Sequence, residues 1–328
     1  MTMTLEHLDC CLDVVYDWGY DETRRDLRDL YTKAKQSQWV SEERLPWDAD
    51  VDPEKASFPE EMFPIFGSDI YRRLTAKEIT RLNVELGSWL LSQFLHGEQG
   101  ALLATAQVVT SVPGLDSRLF ASSQVMDEAR HVEVYERYLH QKIGFSYPVS
   151  PHLKTLLDLI LKDSRWDMKL LGMQIMVEGL ALAAFGMVRQ QTREPLLKQL
   201  THYVMVDEAR HVAFGVLALR RLYDDMTEAE VREREDFVYE AAVLMRDRFL
   251  FDQVWEKVGL PVDECLRIAR DSQAQQLFRQ LLFAKVVPAV KRIGLLSERQ
   301  RERFQALGIL QFESWSDPFA DLAQADAA

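Results

Sequence analysis

Two copies of one pentapeptide carry acidic and imidazole side chains through the middle of the chain. Residues 127–131 read Asp-Glu-Ala-Arg-His, and the same five residues recur 80 positions later at 207–211. A lone glutamate stands 30 residues before the glutamate of each copy, Glu98 in the first half and Glu178 in the second. A four-helix bundle holds two metal ions in its core with one Glu from each of two helices and Glu-x-x-His from each of the other two. The predicted metal ligands are therefore Glu98, Glu128, His131, Glu178, Glu208 and His211.

The spacing of these residues fits antiparallel helices. In each copy the Glu and the His are three residues apart, so both side chains lie on one helix face, one turn apart. From Glu98 the chain runs about 15 residues to the turn signal Pro113-Gly114 and about 14 residues on to Glu128, so a rise of ~22 Å is matched by the return. The second half repeats this pattern around residues 192–195. The ligands of each half therefore return to one level of the bundle.

Burial of the lone glutamates supports the metal site. Glu98 and Glu178 each lie on the apolar stripe of a helix. An ionised carboxylate in that position is costly unless it is paired or coordinates a metal ion. The alternative is a buried glutamate satisfied by Arg130 or Arg210, which explains one such residue but not four in matching positions.

The ligand types narrow the metal and its chemistry. Carboxylate oxygens with one imidazole per metal suit iron or manganese better than zinc or copper, and they leave Fe/Fe, Mn/Mn and Mn/Fe open. We predict two iron ions, with Mn/Fe or Mn/Mn as alternatives, and O₂ as co-substrate at their open positions. Glu128 and Glu208 are the expected bridges, and Glu98 and Glu178 the expected terminal ligands. A two-metal site of this kind indicates redox or oxygen chemistry, or metal storage.

Charged residues beside the ligands are predicted to orient the histidines. A ligating histidine usually passes its second ring N–H to a carboxylate, which fixes the ring. Because the two copies face each other, we expect Asp127 to serve the histidine of the second copy and Asp207 that of the first. Arg130 and Arg210 would then neutralise the two aspartates. The alternative is that all four are solvated charges on a helix surface.

Composition and patterning predict one all-α domain. The chain has 328 residues, 47% of them hydrophobic, with only 14 glycines, long amphipathic stretches and no linker that divides it. We expect a four-helix bundle with additional N- and C-terminal helices in one domain over residues 1–316, with the metal-binding bundle at about 68–223 and a disordered tail at 317–328. The expected helices are 22–36, 68–111, 117–142, 151–191, 194–223, 228–257, 262–292 and 297–306.

Several function classes are disfavoured. No run of 18 apolar residues and no signal pattern is present, so we expect a soluble, cytoplasmic protein without membrane contact. Cys10, Cys11 and Cys265 have neither disulfide-framework nor zinc spacing. The net charge of −13 argues against nucleic acid as a partner.

These residues resemble the ferritin-like superfamily of dimetal-carboxylate oxidases and oxygenases, which carries Asp-Glu-x-Arg-His motifs. The resemblance covers roughly residues 80–220, and residues 30–43 look like the N-terminal segment of ribonucleotide reductase small subunits. It implies a ferritin-like fold, a reductase or ferredoxin as electron donor, and a homodimer. Tyr135, four residues after His131, falls where the reductase family carries its radical tyrosine, which implies a catalytic role. The alternative is a tyrosine that packs beside the bundle.

The chain also departs from its relatives. Radical-transfer subunits have a tyrosine in the C-terminal tail, whereas the last tyrosine here is Tyr239. Arylamine N-oxygenases of the fold have a histidine four residues before the second Glu-x-x-His glutamate, and this chain has Val204; the nearby His202 lies at another helical angle and is interpreted as structural. Ligand-binding oxidases of the reductase-like group cross-link a Val to a Tyr at positions that are Gly100 and Met173 here, so that cross-link cannot form.

Small residues surround the lone glutamates and have two interpretations. They allow either close helix packing or a cavity beside the metals for an apolar substrate. They are Gly97, Gly100, Ala101, Ala104, Gly179, Ala181, Ala183, Ala184 and Gly186.

Three functions follow, in order of preference. The first is an oxidoreductase that activates O₂ at a dinuclear iron or Mn/Fe centre and oxidises a small organic molecule. The second is a radical generator like the ribonucleotide reductase small subunit. The third is iron storage or detoxification as in ferritin, which is disfavoured because about 100 residues of predicted helix follow the second motif.

Overall fold

The computed structural model describes residues 5–315 apart from positions 54 and 56, and this part of the chain contains helices and loops but no strand. The all-α prediction is confirmed. The predicted disordered tail, 317–328, lies outside the described residues, and the one-domain boundary stays a prediction.

The α-helices, in chain order, are α1 (Arg25–Gln36), α2 (Ser41–Arg44), α3 (Asp69–Arg72), α4 (Ala76–Ser111), α5 (Leu115–Arg137), α6 (Pro151–Lys162), α7 (Trp166–Leu170), α8 (Glu178–Gln191), α9 (Pro195–Leu219), α10 (Glu228–Asp247), α11 (Asp252–Val258), α12 (Val262–Asp271), α13 (Gln273–Leu281), α14 (Val286–Arg292) and α15 (Glu298–Ala306). Two π-helical segments are Tyr138–Ile143 and Leu171–Val177, and the 3-10 helices are Glu60–Met62, Leu222–Asp225, Leu282–Ala284 and Leu310–Ser314.

Four helices form the bundle that carries the repeated motif. Helix α4 packs along α5, α8 packs along α9, and α5 also contacts α9. A short turn joins α4 to α5, and Gly114 in this turn has a φ of 83°, in the left-handed region that glycine adopts without a Cβ penalty. Pro195 occupies the first turn of α9, where its missing N–H costs nothing. Each half of the sequence therefore folds back on itself as the motif spacing predicts.

The third bundle helix is irregular just before its metal-ligand candidate. Helix α7, the π-helical segment Leu171–Val177 and α8 are continuous over Trp166–Gln191. By length and composition this stretch is apolar enough to cross a membrane, but 78% of its most apolar window is buried inside the protein, as in the core helix of a bundle. The π-helical segment ends directly before Glu178. Such segments change the direction of side chains and occur frequently at functional sites.

Polar caps break two of the predicted helices. The predicted helix 68–111 divides into α3 and α4 because Thr75 forms a capping box with Glu78 at the start of α4. The predicted helix 262–292 divides into α12, α13 and α14, and Ser272 both ends α12 and caps α13. The amphipathic pattern continues across both breaks, which is why periodicity alone does not show them.

Two further predicted helices are broken by local turns. Within 151–191, Asp163 ends α6 by accepting a hydrogen bond from the backbone N–H of Arg165 at 2.9 Å, and the buried Lys169 donates to the last carbonyls of α6. Within 228–257, the chain leaves α10 and enters α11 at Phe251, whose φ is 59°. The predicted helices 22–36, 194–223 and 297–306 agree with α1, α9 and α15 to within a few residues. The predicted helix 117–142 agrees with α5 and the π-helical segment Tyr138–Ile143 taken together.

The remaining helices enclose the bundle. Helix α1 packs against α5 and α9, and α10 packs against α6 and the second π-helical segment. Helix α14 covers α8. These contacts confirm the predicted N- and C-terminal additions and keep the bundle core away from solvent.

Candidate metal centre

Every helix of the bundle contributes to one cluster in its core. Each of the six contributing side chains is at most 5% exposed. The six are Glu98 on α4, Glu128 and His131 on α5, Glu178 on α8, and Glu208 and His211 on α9. Their ligand atoms form two groups, within each of which all atoms lie within 4.8 Å of one another: Glu98, Glu128, His131 and Glu208, and Glu128, Glu178 and His211. The structure therefore brings together all six residues that the sequence predicts.

The glutamates of the two repeats occupy the centre of the cluster. Oε2 of Glu128 lies 3.5 Å from Nδ1 of His131, and Oε1 of Glu128 lies 3.1 Å from Nδ1 of His211. Oε1 of Glu208 lies 3.1 Å and 3.5 Å from the same two nitrogens. Two carboxylates that each reach both imidazoles have the geometry of bridging ligands.

The two lone glutamates lie on the outer sides of this pair. Oε2 of Glu98 is 3.2 Å from Nδ1 of His131. Glu178 groups with His211, and its Oε1 accepts a hydrogen bond of 3.0 Å from Nε2 of Gln124. Gln124 also donates to Glu128 at 3.0 Å, and the sequence analysis missed it. The only sequence signal was its position four residues before Glu128, which places both side chains on one face of α5.

Unpartnered polar atoms show that the cluster fits metal ions. Within the described chain, five buried ligand atoms have no hydrogen-bond partner: Oε2 of Glu128, Oε2 of Glu178, both carboxylate oxygens of Glu208 and Nδ1 of His211. Buried polar atoms are nearly always hydrogen-bonded, so each exception requires an explanation. Carboxylate oxygens and imidazole nitrogens that converge in this way are the ligands that iron and manganese prefer. The residues present therefore fit a dinuclear iron or manganese centre.

The charges of the cluster are strongly coupled. Burial and the neighbouring carboxylates hold the pKa of Glu98 and that of Glu178 well above the usual range. Burial also opposes ionisation of Glu128, but the two histidines outweigh it and lower the pKa of this carboxyl. Burial opposes protonation of His131 and His211, yet the surrounding carboxylates raise the pKa of both imidazoles well above its usual value. Without metal ions, the cluster therefore balances its carboxylates with bound protons.

Each histidine is held by the aspartate of the opposite repeat. Nε2 of His131 lies 3.1 Å from Oδ2 of Asp207, and Nε2 of His211 lies 3.3 Å from Oδ2 of Asp127. Both aspartates are at most 1% exposed. This is the crossed pairing that the sequence predicts, and it leaves Nδ1 of each ring directed at the glutamates.

Arginines neutralise the two aspartates. Arg130 donates hydrogen bonds to Asp127 and, at 3.0 Å, to Asp207, and Arg210 donates to Asp207. Both arginines are at most 5% exposed, so the alternative of four solvated surface charges is wrong. Burial opposes ionisation of Asp207, but its contacts with His131 and the two arginines lower its pKa.

Two further partners of the aspartates come from the segment between α1 and α2. Trp39 donates its indole N–H to Oδ2 of Asp207 at 2.8 Å, and Gln38 donates to Oδ1 of Asp127 at 2.8 Å. The guanidinium of Arg130 lies 4.7 Å above the Trp39 ring. Both residues lie within residues 30–43, the stretch with the reductase-like resemblance, but their spacing to the motifs gave no sign of contact.

Tyr135 lies beside the cluster without a partner for its hydroxyl. Its side chain is fully buried between the rings of Phe94 and Phe185, with centroid distances of 5.8 and 6.0 Å. Its Oη forms no hydrogen bond within the described residues. Burial and the charge of Glu98 raise its pKa well above the usual value, so this phenol stays protonated. The redox role predicted for Tyr135 stays a prediction.

Comparison with known proteins identifies the family. The model of the p-aminobenzoate N-oxygenase AurF family matches residues 21–294. The chain belongs to this family. No curated protein sequence matches it.

Solved structures show the same fold at low sequence identity. Three structures of an R2-like ligand-binding oxidase match 86% of this chain over the whole of their own length. One is a point mutant with an aerobically reconstituted Mn/Fe cofactor, which matches with a TM-score of 0.55 at 18% identity. The second is a form with an aerobically reconstituted metal cofactor after photoconversion, with a TM-score of 0.52 at 19% identity. The third is another point mutant, with an anaerobically reconstituted Mn/Fe cofactor, a TM-score of 0.51 and 20% identity. At this identity the likeness establishes the fold.

Family, fold and cluster together confirm the central predictions. The chain is a ferritin-like dimetal-carboxylate protein of the oxidase and oxygenase group. It is a non-haem oxidoreductase with a dinuclear metal cofactor and O₂ as co-substrate, which acts on a small organic molecule. These results favour the first of the three functions considered from the sequence.

Proposed function

We propose that this chain binds two iron ions through Glu98, Glu128, His131, Glu178, Glu208 and His211 and uses them to oxidise a small organic substrate with O₂. The observation that carries the proposal is the shared position of two buried carboxylates: Glu128 and Glu208 each lie within 3.5 Å of both histidine Nδ1 atoms. Carboxylates in that position suit two cations that lie side by side.

The residues have distinct roles in this proposal. Glu128 and Glu208 would be shared by the two metals, and Glu98 and Glu178 would each supply a further carboxylate to one of them. Asp127 and Asp207 fix the imidazole rings, and the buried apolar surroundings exclude bulk water. A reduced dinuclear centre supplies the electrons that activate O₂ when the metals are bound.

The electron donor and the assembly are further parts of the proposal. Reduction of the centre before each turnover requires two electrons, so we infer a reductase or ferredoxin partner. We also infer a cytoplasmic homodimer. Apolar side chains of the N-terminal segment support an interface, because Val14, Tyr16 and Trp18 are 63–75% exposed. A mass of twice 38.0 kDa in native mass spectrometry is expected.

The reaction type is open to direct test. N-oxygenation of p-aminobenzoate is the activity named in the family description. Arylamine N-oxygenases of the fold carry a histidine at the position of Val204, which is fully buried here and offers no nitrogen to a metal. We therefore propose oxidation of a different substrate, and p-aminobenzoate that is converted to a nitroso or nitro product would contradict this part of the proposal.

Metal identity is part of the same test. The two mutant structures named above carry Mn/Fe cofactors, and the ligand types here accept iron and manganese equally. We propose iron at both positions. Metal content after loading with equimolar iron and manganese distinguishes Fe/Fe from Mn/Fe.

The experiment that tests the function combines metal content with O₂ uptake. Wild type loaded anaerobically with iron(II) is expected to hold two metals per chain and to consume O₂ when reduced. Glu208→Ala should hold at most one and lose O₂ uptake, whereas the control Glu136→Ala, an exposed glutamate on α5, should match wild type. Two metals in Glu208→Ala would refute the assignment.

Two outcomes of this experiment would favour the other functions. Many irons per chain in a large cage would indicate storage. A persistent tyrosyl radical in electron paramagnetic resonance spectra, lost in Tyr135→Phe, would indicate a radical generator.

A further inference from the structure

A polar pocket lies at the ends of three helices, apart from the metal cluster. Its volume is 480 Å³, in the size range of sites for small organic molecules. Its walls come from the last turns of α10, α12 and α13, from the first turn of α6, and from the chain just after α15. No candidate metal ligand is among the described residues that line it. A molecule in this pocket would therefore be distinct from a substrate at the metals.

Arginines dominate the charge of this pocket. Arg246, Arg270 and Arg279 line it, and Asp247 is the only acidic residue among the described lining residues. Asp247 pairs with Arg246 at 2.7 Å. In the described part of the chain, Arg270 and Arg279 have no carboxylate partner. Three arginines against one aspartate leave two positive charges in excess, in a chain whose net charge is −13.

Arg279 is the deeply buried member of this set. Its side chain is 8% exposed, whereas Arg270 is exposed and Arg246 is half-buried. The hydrogen bond that its guanidinium donates to the backbone carbonyl of Arg270 is long, at 3.4 Å. Burial lowers the pKa of Arg279, and Arg246 and Arg270 lower it further against the opposing effect of Asp247. The fold therefore holds a cation here at a cost in stability, which an anionic ligand would offset.

The helix ends offer a simpler reason for arginines at these positions, but that reason does not cover Arg279. Each of the three arginines lies in the last turn of its helix. A cation in the last turn is favoured by the helix dipole, although the gain is small. Burial of a charge without a partner costs more than this gain. The dipole thus accounts for Arg246 and Arg270, whereas the burial of Arg279 needs a further reason.

The charge and the apolar rim of the pocket indicate the class of ligand. A guanidinium matches the oxygens of a phosphate in charge and in bidentate geometry. A phosphate monoester carries nearly two negative charges at neutral pH, which balances the excess of positive charge in the pocket. Leu250, Leu307 and Ile309 also line the pocket and offer an apolar surface beside the arginines.

We propose that this pocket binds a dianionic phosphate group, carried by a free phosphate ion or by a small phosphate ester, through Arg270 and Arg279. The volume of 480 Å³ leaves room beside the phosphate for the organic part of an ester. The proposal adds a second ligand site to the chain and does not rest on the metal centre or on the proposed function.

Titration calorimetry with matched anions tests the proposal. Phenyl phosphate, phenyl sulfate and inorganic phosphate are added separately to iron(II)-loaded protein under anaerobic conditions, at constant ionic strength. Phenyl phosphate and phenyl sulfate have nearly the same shape and differ by about one negative charge near pH 7.5. Wild type should bind at least one of the two phosphates about tenfold or more tightly than phenyl sulfate. Tighter binding of phenyl phosphate than of inorganic phosphate would identify an ester as the ligand, and the reverse would identify the free ion.

Substitutions at the two arginines without a carboxylate partner should remove this binding. Arg279→Gln and Arg270→Gln should each weaken phosphate binding about tenfold or more, the scale of a lost charge-assisted hydrogen bond. Arg279→Lys should keep part of the affinity. The control Arg267→Gln removes the same charge from α12 and should match wild type, because Arg267 is exposed, is paired with Asp271 at 3.9 Å and does not line the pocket.

Several results would overturn the proposal. They are no binding of either phosphate, equal binding of phenyl sulfate, and an unchanged affinity in both glutamine variants, which would place the phosphate at the metals or elsewhere. A loss in Arg267→Gln as large as that in Arg270→Gln would show a general charge effect instead of a site.

Thermal unfolding distinguishes a ligand-binding arginine from a structural one. Without ligand, Arg279→Met should melt at or above the temperature of wild type, because it removes a buried charge that has no carboxylate partner. The same variant should lose the thermal shift that the preferred phosphate gives to wild type. A clearly lower melting temperature in ligand-free Arg279→Met would show that Arg279 stabilises the fold, and would count against the proposal. Arg270→Gln changes an exposed position, so its binding result stands even if Arg279 variants do not fold.

Discussion

At the scale of single residues, the two repeats orient each other's histidines. Asp207 contacts His131 and Asp127 contacts His211, although each aspartate is adjacent in sequence to the glutamate of its own copy. The aspartates in turn are fixed by buried hydrogen-bond donors, among them Trp39. The orientation of each imidazole therefore depends on residues from three elements, and the metal ligands alone do not determine it.

Replacing one of these aspartates tests that dependence. Asp207→Asn keeps the shape of the side chain but removes the charge that orients His131. Loss of such a partner typically lowers metal affinity by about 10–100-fold. Competition with a chelator measures this change, and Asp69→Asn, at an exposed position on α3, is the control. An affinity equal to that of wild type would show that Asp207 does not support the metal site.

At the scale of helices, the small residues around the ligands serve two purposes at once. A Cβ on Gly100 would lie 2.5 Å from a methyl carbon of Leu157 on α6, so this glycine permits close packing. A Cβ on Gly179 would lie 3.2 Å from a methyl carbon of Val286 on α14. Gly97, on the same helix as Gly100, instead borders a small cavity that is also lined by Glu98, Glu178 and Glu208. Close packing is therefore confirmed at Gly100 and Gly179, whereas a substrate cavity stays a prediction, because the space at Gly97 has room for about one water molecule.

Alanine substitutions at two positions of α4 separate these purposes. Gly100→Ala should destabilise the fold by about 1–3 kcal/mol, because Leu157 must move to admit the methyl group. Gly97→Ala has open space and should be neutral or gain up to ~1 kcal/mol from the higher helix propensity of alanine. Urea unfolding of the two metal-free variants beside wild type measures the difference. Equal stabilities of the two variants would contradict the packing described for α4.

The sequence predicts the site better than it predicts the helix ends. The six ligands and the crossed aspartates follow from a repeat and a helical spacing, and both patterns are visible in the sequence itself. Arg248, at the end of α10, also lines the small cavity beside Glu98. It could not be found in this way, because nothing near it in sequence shows that α10 ends there. The breaks at Asp163 and Phe251 are local turns, one closed by the N–H of Arg165 and the other by a left-handed backbone, and helical periodicity shows neither.

At the scale of the whole molecule, the charge of the cluster links metal content to stability. The raised pKa values of Glu98 and Glu178 mean that the metal-free folded state holds protons that the unfolded chain releases above the ordinary glutamate pKa of 4.5. The same holds for His131 and His211 above 6.5. Stability falls with rising pH wherever the folded state binds more protons than the unfolded state.

We therefore expect the melting temperature of the metal-free protein to fall as the pH rises from about 5 to about 8. Glu128 and Asp207, whose pKa values are lowered, act in the opposite direction but only at more acidic pH. Metal binding releases the protons, so the iron(II)-loaded protein should lack this decline and exceed the metal-free form by about 3–4 kcal/mol at 100–1,000 times the dissociation constant. Anaerobic melting curves of both forms across this range measure it, and parallel pH profiles would contradict the charge balance.

Anomalous diffraction from crystals of the iron-loaded protein tests the central claim most directly. Two peaks at the iron edge are expected in the bundle core, both beside Glu128 and Glu208, one next to Nδ1 of His131 and the other next to Nδ1 of His211. Glu98 should coordinate the first metal and Glu178 the second. A single peak, no peak in the core, or metals bound by other residues would contradict the dinuclear centre.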